Sequence, residues 1–162
     1  MSFIASAYKE PVFPHITTRS VSSESASSSF YLRVPYQSLD RVLTEMQKQV
    51  QKWKGNQLVR NKAVQITSNI KVDSRTGFAD RRNYEAIAQS VYQWIKTNIQ
   101  YIRDPDGIEL LQSPLKTLEY GYGDCDDLSI LGASLLSSIG VPTRFKVVKA
   151  NPSNPNGYSH VY

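Results

Sequence analysis

Apolar residues recur every three or four positions in three stretches of the first two thirds of the chain, which predicts three amphipathic helices. The first begins near Ser38 and ends at Gly55, a residue suited to a helix C-terminus. The second is expected over 57–70 and the third over about 80–98. The apolar positions are Leu39, Val42, Leu43, Met46, Val50 and Trp53, then Val59, Ala63, Ile66 and Ile70, then Tyr84, Ile87, Val91, Trp94 and Ile95. We interpret these stripes as core-facing surfaces.

A turn-rich stretch, "RDPDGIELLQSP", follows the third predicted helix and is expected to be a connection. At its end, Ser113 and Pro114 suit the N-cap and the first position of a short helix that reaches Leu118. The sequence therefore predicts a fourth, short helix after the connection.

A further helix is predicted after Asp124, and it ends at the "GVP" of residues 140–142. Its apolar positions are Leu128, Leu131, Leu135 and Ile139. Beyond it, "TRFKVVKA" predicts a strand and the closing "HVY" predicts the start of another. The last third of the chain thus combines helices with short strands.

The composition is that of a globular domain with a core, because 40% of the 162 residues are hydrophobic. The single cysteine allows no intramolecular disulfide and no cysteine zinc cluster, so we expect a reducing environment and no metal or other cofactor. No signal peptide and no membrane span are expected, which indicates a soluble protein.

The net charge of +5 is unevenly distributed. Residues 36–103 carry 12 basic and 5 acidic side chains, whereas residues 104–162 carry 4 and 7. The basic helical segment could meet phosphate or an acidic partner, but solvated helix faces account for it equally well, so nucleic-acid binding is not expected.

Seven of the ten residues from Ser20 to Ser29 are serine, which is too polar to form a packed element. We expect an extended arm over residues 1–35. Two interpretations stay open, a solvated linker and an arm docked on a partner surface.

The one cysteine, Cys125, lies in "YGYGDCDD" at the predicted start of a helix. The helix dipole favours a thiolate there, and Asp124 and Asp127 suit the helix cap. The same acids oppose a thiolate, so a cationic partner is needed. His160 is the candidate, because it opens a predicted strand, whereas His15 precedes the serine-rich arm. A buried structural cysteine and an unrelated histidine are the alternative.

These motifs resemble the transglutaminase-like superfamily. "YGYGDCDDLSILGASLLSSIGVPTRFKVV" followed by "SHVY" is similar to its pattern of Gly-x-Cys-x-Asp at a helix start, a helix that ends in Gly-Ile/Val-Pro-x-Arg, and His-Val-Trp/Tyr on a strand. The preceding "YQWIKTNIQYIRDPDGIELLQSPLKTLEYGYGDC" resembles transglutaminase-like proteins of bacteriophages and prophages. The resemblance covers residues 80–162.

The resemblance implies an α+β, papain-like fold in which the N-terminal helices pack on a small antiparallel sheet. We expect an arm over 1–35, a basic helical segment over 36–79 and the transglutaminase-like core over 80–162. The family's third residue is an aspartate on the strand after the histidine, and no residue up to Tyr162 is assigned to it.

The resemblance also assigns the site. Cys125 is expected to be the nucleophile, with its backbone N–H as an oxyanion donor, and His160 the general base. Tyr120 and Tyr122 are expected either to wall the pocket or to pack against the helix. The acidic residues of the motif are assigned to helix capping and pocket polarity; they are Asp124, Asp126 and Asp127.

The expected function is that of a cysteine acyl transferase or peptidase that forms a thioester with a protein or peptide substrate. The alternative is a catalytically weak or inactive structural protein of a phage virion whose arm contacts neighbouring subunits. The expected location is the bacterial cytoplasm or the virion.

Overall fold

A computed structural model describes residues 31–34, 39–70, 80–105, 109–150, 152–153 and 155–162. The serine-rich arm and His15 lie outside these residues, so the two interpretations of the arm remain predictions. The described segments form an α+β structure of helices with short two-stranded ladders.

Five α-helices are present in the described residues: α1 Leu39–Trp53, α2 Gln57–Ile66, α3 Tyr84–Asn98, α4 Pro114–Tyr120 and α5 Cys125–Ser138. The strands are β1 Tyr31–Val34, β2 Gln100–Tyr101, β3 Glu109–Gln112, β4 Tyr122–Gly123, β5 Val147–Val148 and β6 His160–Val161. All five helices were predicted, and the strand predicted at "HVY" is confirmed as β6.

The strands make three separate ladders within the described residues, not the single small antiparallel sheet that was expected. β1 pairs with β3 and β5 with β6, both antiparallel, whereas β2 and β4 run parallel. Parallel pairing requires a long crossover, and the segment that contains β3 and α4 supplies it.

Four strands, β1 to β4, were missed in the sequence, and the two longer ones are β1 and β3. β1 falls in the segment expected to be an arm, and β3 falls in the segment expected to be a turn-rich connection. Each is four residues long, and their pairing joins positions far apart in the chain. Local composition carries little signal for such a pair.

Helix α5 lies at the centre of the fold. On one side, its Leu131 and Leu135 are fully buried against α2 and α3. On another side, Ile130 packs with Met46 of α1 and Val161 of β6. The N-terminal helices therefore pack mainly on α5, with strands at its edge. The prediction that they pack on a small antiparallel sheet is wrong.

The ends of the helices follow local side-chain chemistry. Helix α2 stops at Ile66, four residues before the predicted end, where the Thr67 hydroxyl donates to the Ala63 carbonyl at 2.8 Å. The predicted cap of α4 is confirmed, since the Ser113 side chain accepts from the Lys116 N–H. Gly140, in the left-handed region with φ 85°, follows α5 as expected.

Gly123 leads into α5 and has no room for a side chain. An added Cβ would lie 2.7 Å from the Cβ of the buried Asp127, closer than two such carbons can approach. Gly123→Ala is therefore expected to cost about 1–3 kcal/mol of stability in chemical denaturation. Gly55→Ala is the matched control, because an added Cβ there meets nothing within 4 Å. Equal stability of the two variants would contradict this packing.

Candidate active site

The start of α5 is fixed by a capping box, as the sequence predicted. The Asp124 carboxylate accepts from the backbone N–H groups of Asp126 and Asp127 at 3.0 and 3.2 Å. In return, the Asp127 carboxylate accepts from the Asp124 N–H at 3.4 Å. These bonds satisfy N–H groups that a helix start leaves unpaired.

Asp127 also joins α5 to β3, which the sequence did not reveal. One carboxylate oxygen accepts from the Gln112 backbone N–H and the other from the Gln112 side-chain amide, each at 2.7 Å. Both residues are buried. Asp127 therefore serves as cap and as cross-link, which accounts for a carboxylate in the interior.

Three groups contact the Cys125 thiol at the start of α5. The Asp126 carboxylate lies 3.5 Å from Sγ. The Val161 backbone N–H lies close enough to the thiol to lower its pKa, and the thiol contributes to the raised pKa of the Tyr101 hydroxyl. Tyr101 was missed in the sequence because nothing local connects the two-residue strand β2 to a helix that begins 24 positions later.

The pKa of Cys125 is raised to about 12. Burial is the main cause, followed by the charges of Asp126 and Asp124, and the Val161 N–H acts in the opposite direction. The helix dipole, which was expected to favour a thiolate, is therefore not enough to produce one at this site. Burial contributes most to the raised pKa, and the flanking acids, whose opposing effect was expected, come next.

β6 is held against the start of α5 beside the thiol. The Ser129 hydroxyl, one turn after Cys125, donates to the Val161 carbonyl at 3.3 Å. Val161 thus bonds α5 through its C=O and has its N–H near the thiol. His160, the neighbour of buried Val161 on β6, is exposed.

Cys125 and His160 line the same cavity, which has a volume of about 720 Å³. Tyr101 lines it too, whereas Tyr120 and Tyr122 are not among the lining residues. Their rings stack on each other with centroids 5.6 Å apart. Tyr101, and not Tyr120 or Tyr122, therefore lies at the cavity beside Cys125.

Several carboxyl groups near the helix start have raised pKa values. Burial and the neighbouring Asp127 and Asp126 carboxylates raise the pKa of Asp124 to about 7. Burial raises that of Asp127 to about 6, against the lowering effect of its bonds from Gln112. Burial likewise raises the pKa of Asp104, whose carboxylate accepts from the Leu110 N–H.

In the described ranges, no cluster of three or more histidine, cysteine or acidic side chains is arranged to hold a metal ion. Nor does any described helix have the length and apolarity to cross a membrane.

Comparison with known proteins gives one match. The family model described as Transglutaminase-like superfamily matches residues 72–162, which is more than half of the chain and includes β2 to β6, α3, α4 and α5. No curated protein and no solved structure matches the chain.

The raised pKa of Asp124 predicts that stability falls as pH rises. Asp124 holds its proton up to about pH 7 in the folded chain but releases it near 3.8 in the unfolded chain. The contribution of this group to stability is therefore fully present below pH 4 and declines up to pH 7. Asp124→Asn keeps a cap acceptor without the charge. In thermal or urea unfolding at pH 8, we expect the free energy of unfolding of the variant to exceed that of the unmodified protein by about 1–3 kcal/mol. At pH 4 we expect no difference.

The control for this experiment is Asp40→Asn, which removes one carboxylate from the exposed first turn of α1. This variant should leave the pH dependence of the free energy of unfolding unchanged. An Asp124→Asn variant that loses stability at pH 8 would show instead that the ionised carboxylate stabilises the helix start.

A second prediction concerns the reactivity of Cys125. Asp126→Asn removes the charge nearest to the thiol, so the pKa of Cys125 falls. One pKa unit gives about tenfold more thiolate at neutral pH, and iodoacetamide labelling at pH 7.5 should accelerate by about that factor. Glu119→Gln, a surface carboxyl on α4, is the control. Unchanged labelling of Asp126→Asn would contradict the electrostatic cause.

Proposed function

Because this chain belongs to the transglutaminase-like superfamily, we propose that it is a cysteine acyl transferase or peptidase in which Cys125 is the nucleophile and His160 the general base. The observation that carries the proposal is the common cavity of the two side chains, with β6 bonded to α5 through Val161. A papain-like arrangement of helix-borne thiol and strand-borne imidazole is part of this proposal.

The first step starts from a neutral thiol, since the pKa of Cys125 is about 12. His160 takes the thiol proton as Sγ attacks the carbonyl carbon of an amide or ester, and a carbon–sulfur bond forms. The imidazolium then gives this proton to the leaving amine or alcohol as its bond to the carbonyl carbon breaks. A thioester on Cys125 and neutral His160 remain.

The second step releases the acyl group. Water or an amine loses a proton to His160 while it attacks the thioester carbonyl, and the proton returns to Sγ as the carbon–sulfur bond breaks. Hydrolysis and transfer differ only in this second nucleophile. A protein or peptide amide is the substrate class that the superfamily suggests.

The oxyanion of each tetrahedral intermediate needs donors. The backbone N–H of Cys125 at the helix start and the Tyr101 hydroxyl are the candidates in this proposal. Tyr101 lines the same cavity as Cys125 and lies close enough for the thiol to contribute to its raised pKa, which supports its presence at the reacting atoms.

The test is formation of an acyl-enzyme. With p-nitrophenyl acetate, intact mass should show one acetyl group on Cys125, and Cys125→Ala should carry none. Removal of the base in His160→Ala should slow acylation about 10²-fold or more, and added imidazole should restore part of the rate. The exposed Tyr158→Phe change in the same terminal segment is the control.

The competing function, a catalytically weak structural protein of a phage virion, predicts a different result. Acetylation would then be no faster than that of an ordinary thiol and would not depend on His160. That outcome would reject the enzyme and leave the transglutaminase-like domain as a scaffold.

A further inference from the structure

The cavity beside Cys125 continues as a long trench between α3 and α5. One face of each helix lines it at spacings of three and four residues. These lining residues are Ala88, Val91, Tyr92, Ile95, Lys96 and Ile99 on the side of α3, and Cys125, Leu128, Ser129, Gly132, Ala133 and Leu136 on α5. Each set spans 11 positions, or about 16 Å at the helical rise per residue.

The nucleophile stands at one end of this trench. Tyr101, just beyond α3, contacts Cys125 at the start of α5, and a Cβ on Gly132 would lie 3.5 Å from Ile95 midway along. The two helices therefore run antiparallel. Ala88 consequently marks the end of the trench that is far from Cys125.

The helical walls offer little to a peptide backbone. The Ser129 hydroxyl already donates to Val161, and Thr143, at the far end of α5, shares a hydrogen bond with Ser137. A peptide lying against the two helices would find few polar partners for its N–H and C=O groups, whereas a hydrocarbon chain needs none. The trench thus suits an alkyl chain better than a peptide.

Charge sets the direction in which such a molecule would bind. Among the described residues no aspartate or glutamate lines the trench, while Lys96 and Arg144 do, so a cationic end is repelled from it. On the other side of the thiol, the Asp126 carboxylate lies 3.5 Å from Sγ. An amide with an apolar acyl chain and a cationic amine matches both sides in one orientation only.

We propose that the trench holds the alkyl chain of the acyl donor, so that the substrate is a long-chain acyl amide with a polar or cationic amine portion. This assignment rests on the proposed function, because it places the amide carbonyl at Cys125 and His160. It also predicts a substrate specificity. The small residues Gly132 and Ala88 keep the trench open, and the length of the trench limits the length of the alkyl chain that binds.

Binding can be measured without catalysis in the otherwise complete chain carrying Cys125→Ala. The probes are N-hexanoyl-, N-decanoyl- and N-tetradecanoyl-ethylenediamine, titrated by calorimetry below their micelle concentrations. Each methylene that enters the trench should lower Kd up to about fourfold. A Kd independent of chain length, or no binding of any probe, would overturn the proposal.

Two substitutions test where the alkyl chain of the probe lies in the trench. Gly132→Leu adds a side chain midway along the trench and should weaken binding of the decanoyl and tetradecanoyl probes at least tenfold. Ala88→Leu fills the far end and should weaken only the tetradecanoyl probe. Gln93→Leu adds a comparable apolar group to an exposed position of α3 outside the trench and should change nothing.

Folding of each variant is checked by circular dichroism and thermal unfolding. Gly132→Ala gives a milder version, because its Cβ makes an ordinary contact with Ile95 and alanine favours a helix. If Gly132→Leu does not fold, Gly132→Ala should still bind the longer probes less tightly than the parent. Equal Kd values for Gly132→Ala and its parent would then count against the trench.

The two proposals fail in different ways. Binding that depends on chain length without acylation of Cys125 would keep the trench and reject the enzyme. Acylation by p-nitrophenyl acetate that depends on His160, with no binding of the alkyl probes, would keep the enzyme and reject the alkyl chain as its substrate.

Discussion

The buried carboxylate of Asp127 is the interaction on which the site depends. It closes the cap of α5, accepts two bonds from Gln112 in β3, and presses so closely on Gly123 that only glycine fits there. Since β3 pairs with β1, this one group connects the nucleophile's helix to a strand ladder formed by distant parts of the chain. Position and orientation of Cys125 follow from these bonds, because it is the first residue of the helix they fix.

The same arrangement opposes the reactivity of the thiol. Acidic caps satisfy the N–H groups and the dipole of the helix start, so less of that positive end is available to a thiolate. Burial and the charges of Asp126 and Asp124 then raise the pKa of Cys125 to about 12. Structural stability at the start of α5 is thus achieved with groups that keep the thiol protonated, and proton transfer to His160 becomes the central requirement of the proposed chemistry.

Local patterns in the sequence predicted the helices well because each has an apolar stripe and its own capping residues, such as Ser113 for α4 and Asp124 for α5. The ladder of β1 and β3 was missed, since its pairing is set by tertiary contacts and not by propensity. Likewise the motif around Cys125 predicted the cap, but not the contact with Tyr101, which depends on the parallel pairing of β2 with β4. Contacts between residues close in sequence could be predicted, whereas contacts that depend on the pairing of distant strands could not.

A protonated thiol gives the proposed enzyme a further property. Thiolates, not thiols, react with alkylating agents and oxidants, so Cys125 is protected from both while no substrate is bound. A substrate that fills the cavity excludes water and brings its carbonyl carbon beside Sγ, and only then does transfer of the proton to His160 lead to a new bond. Reactivity is then controlled by occupancy of the cavity that Cys125 and His160 share, which joins selection of the acyl chain to activation of the nucleophile.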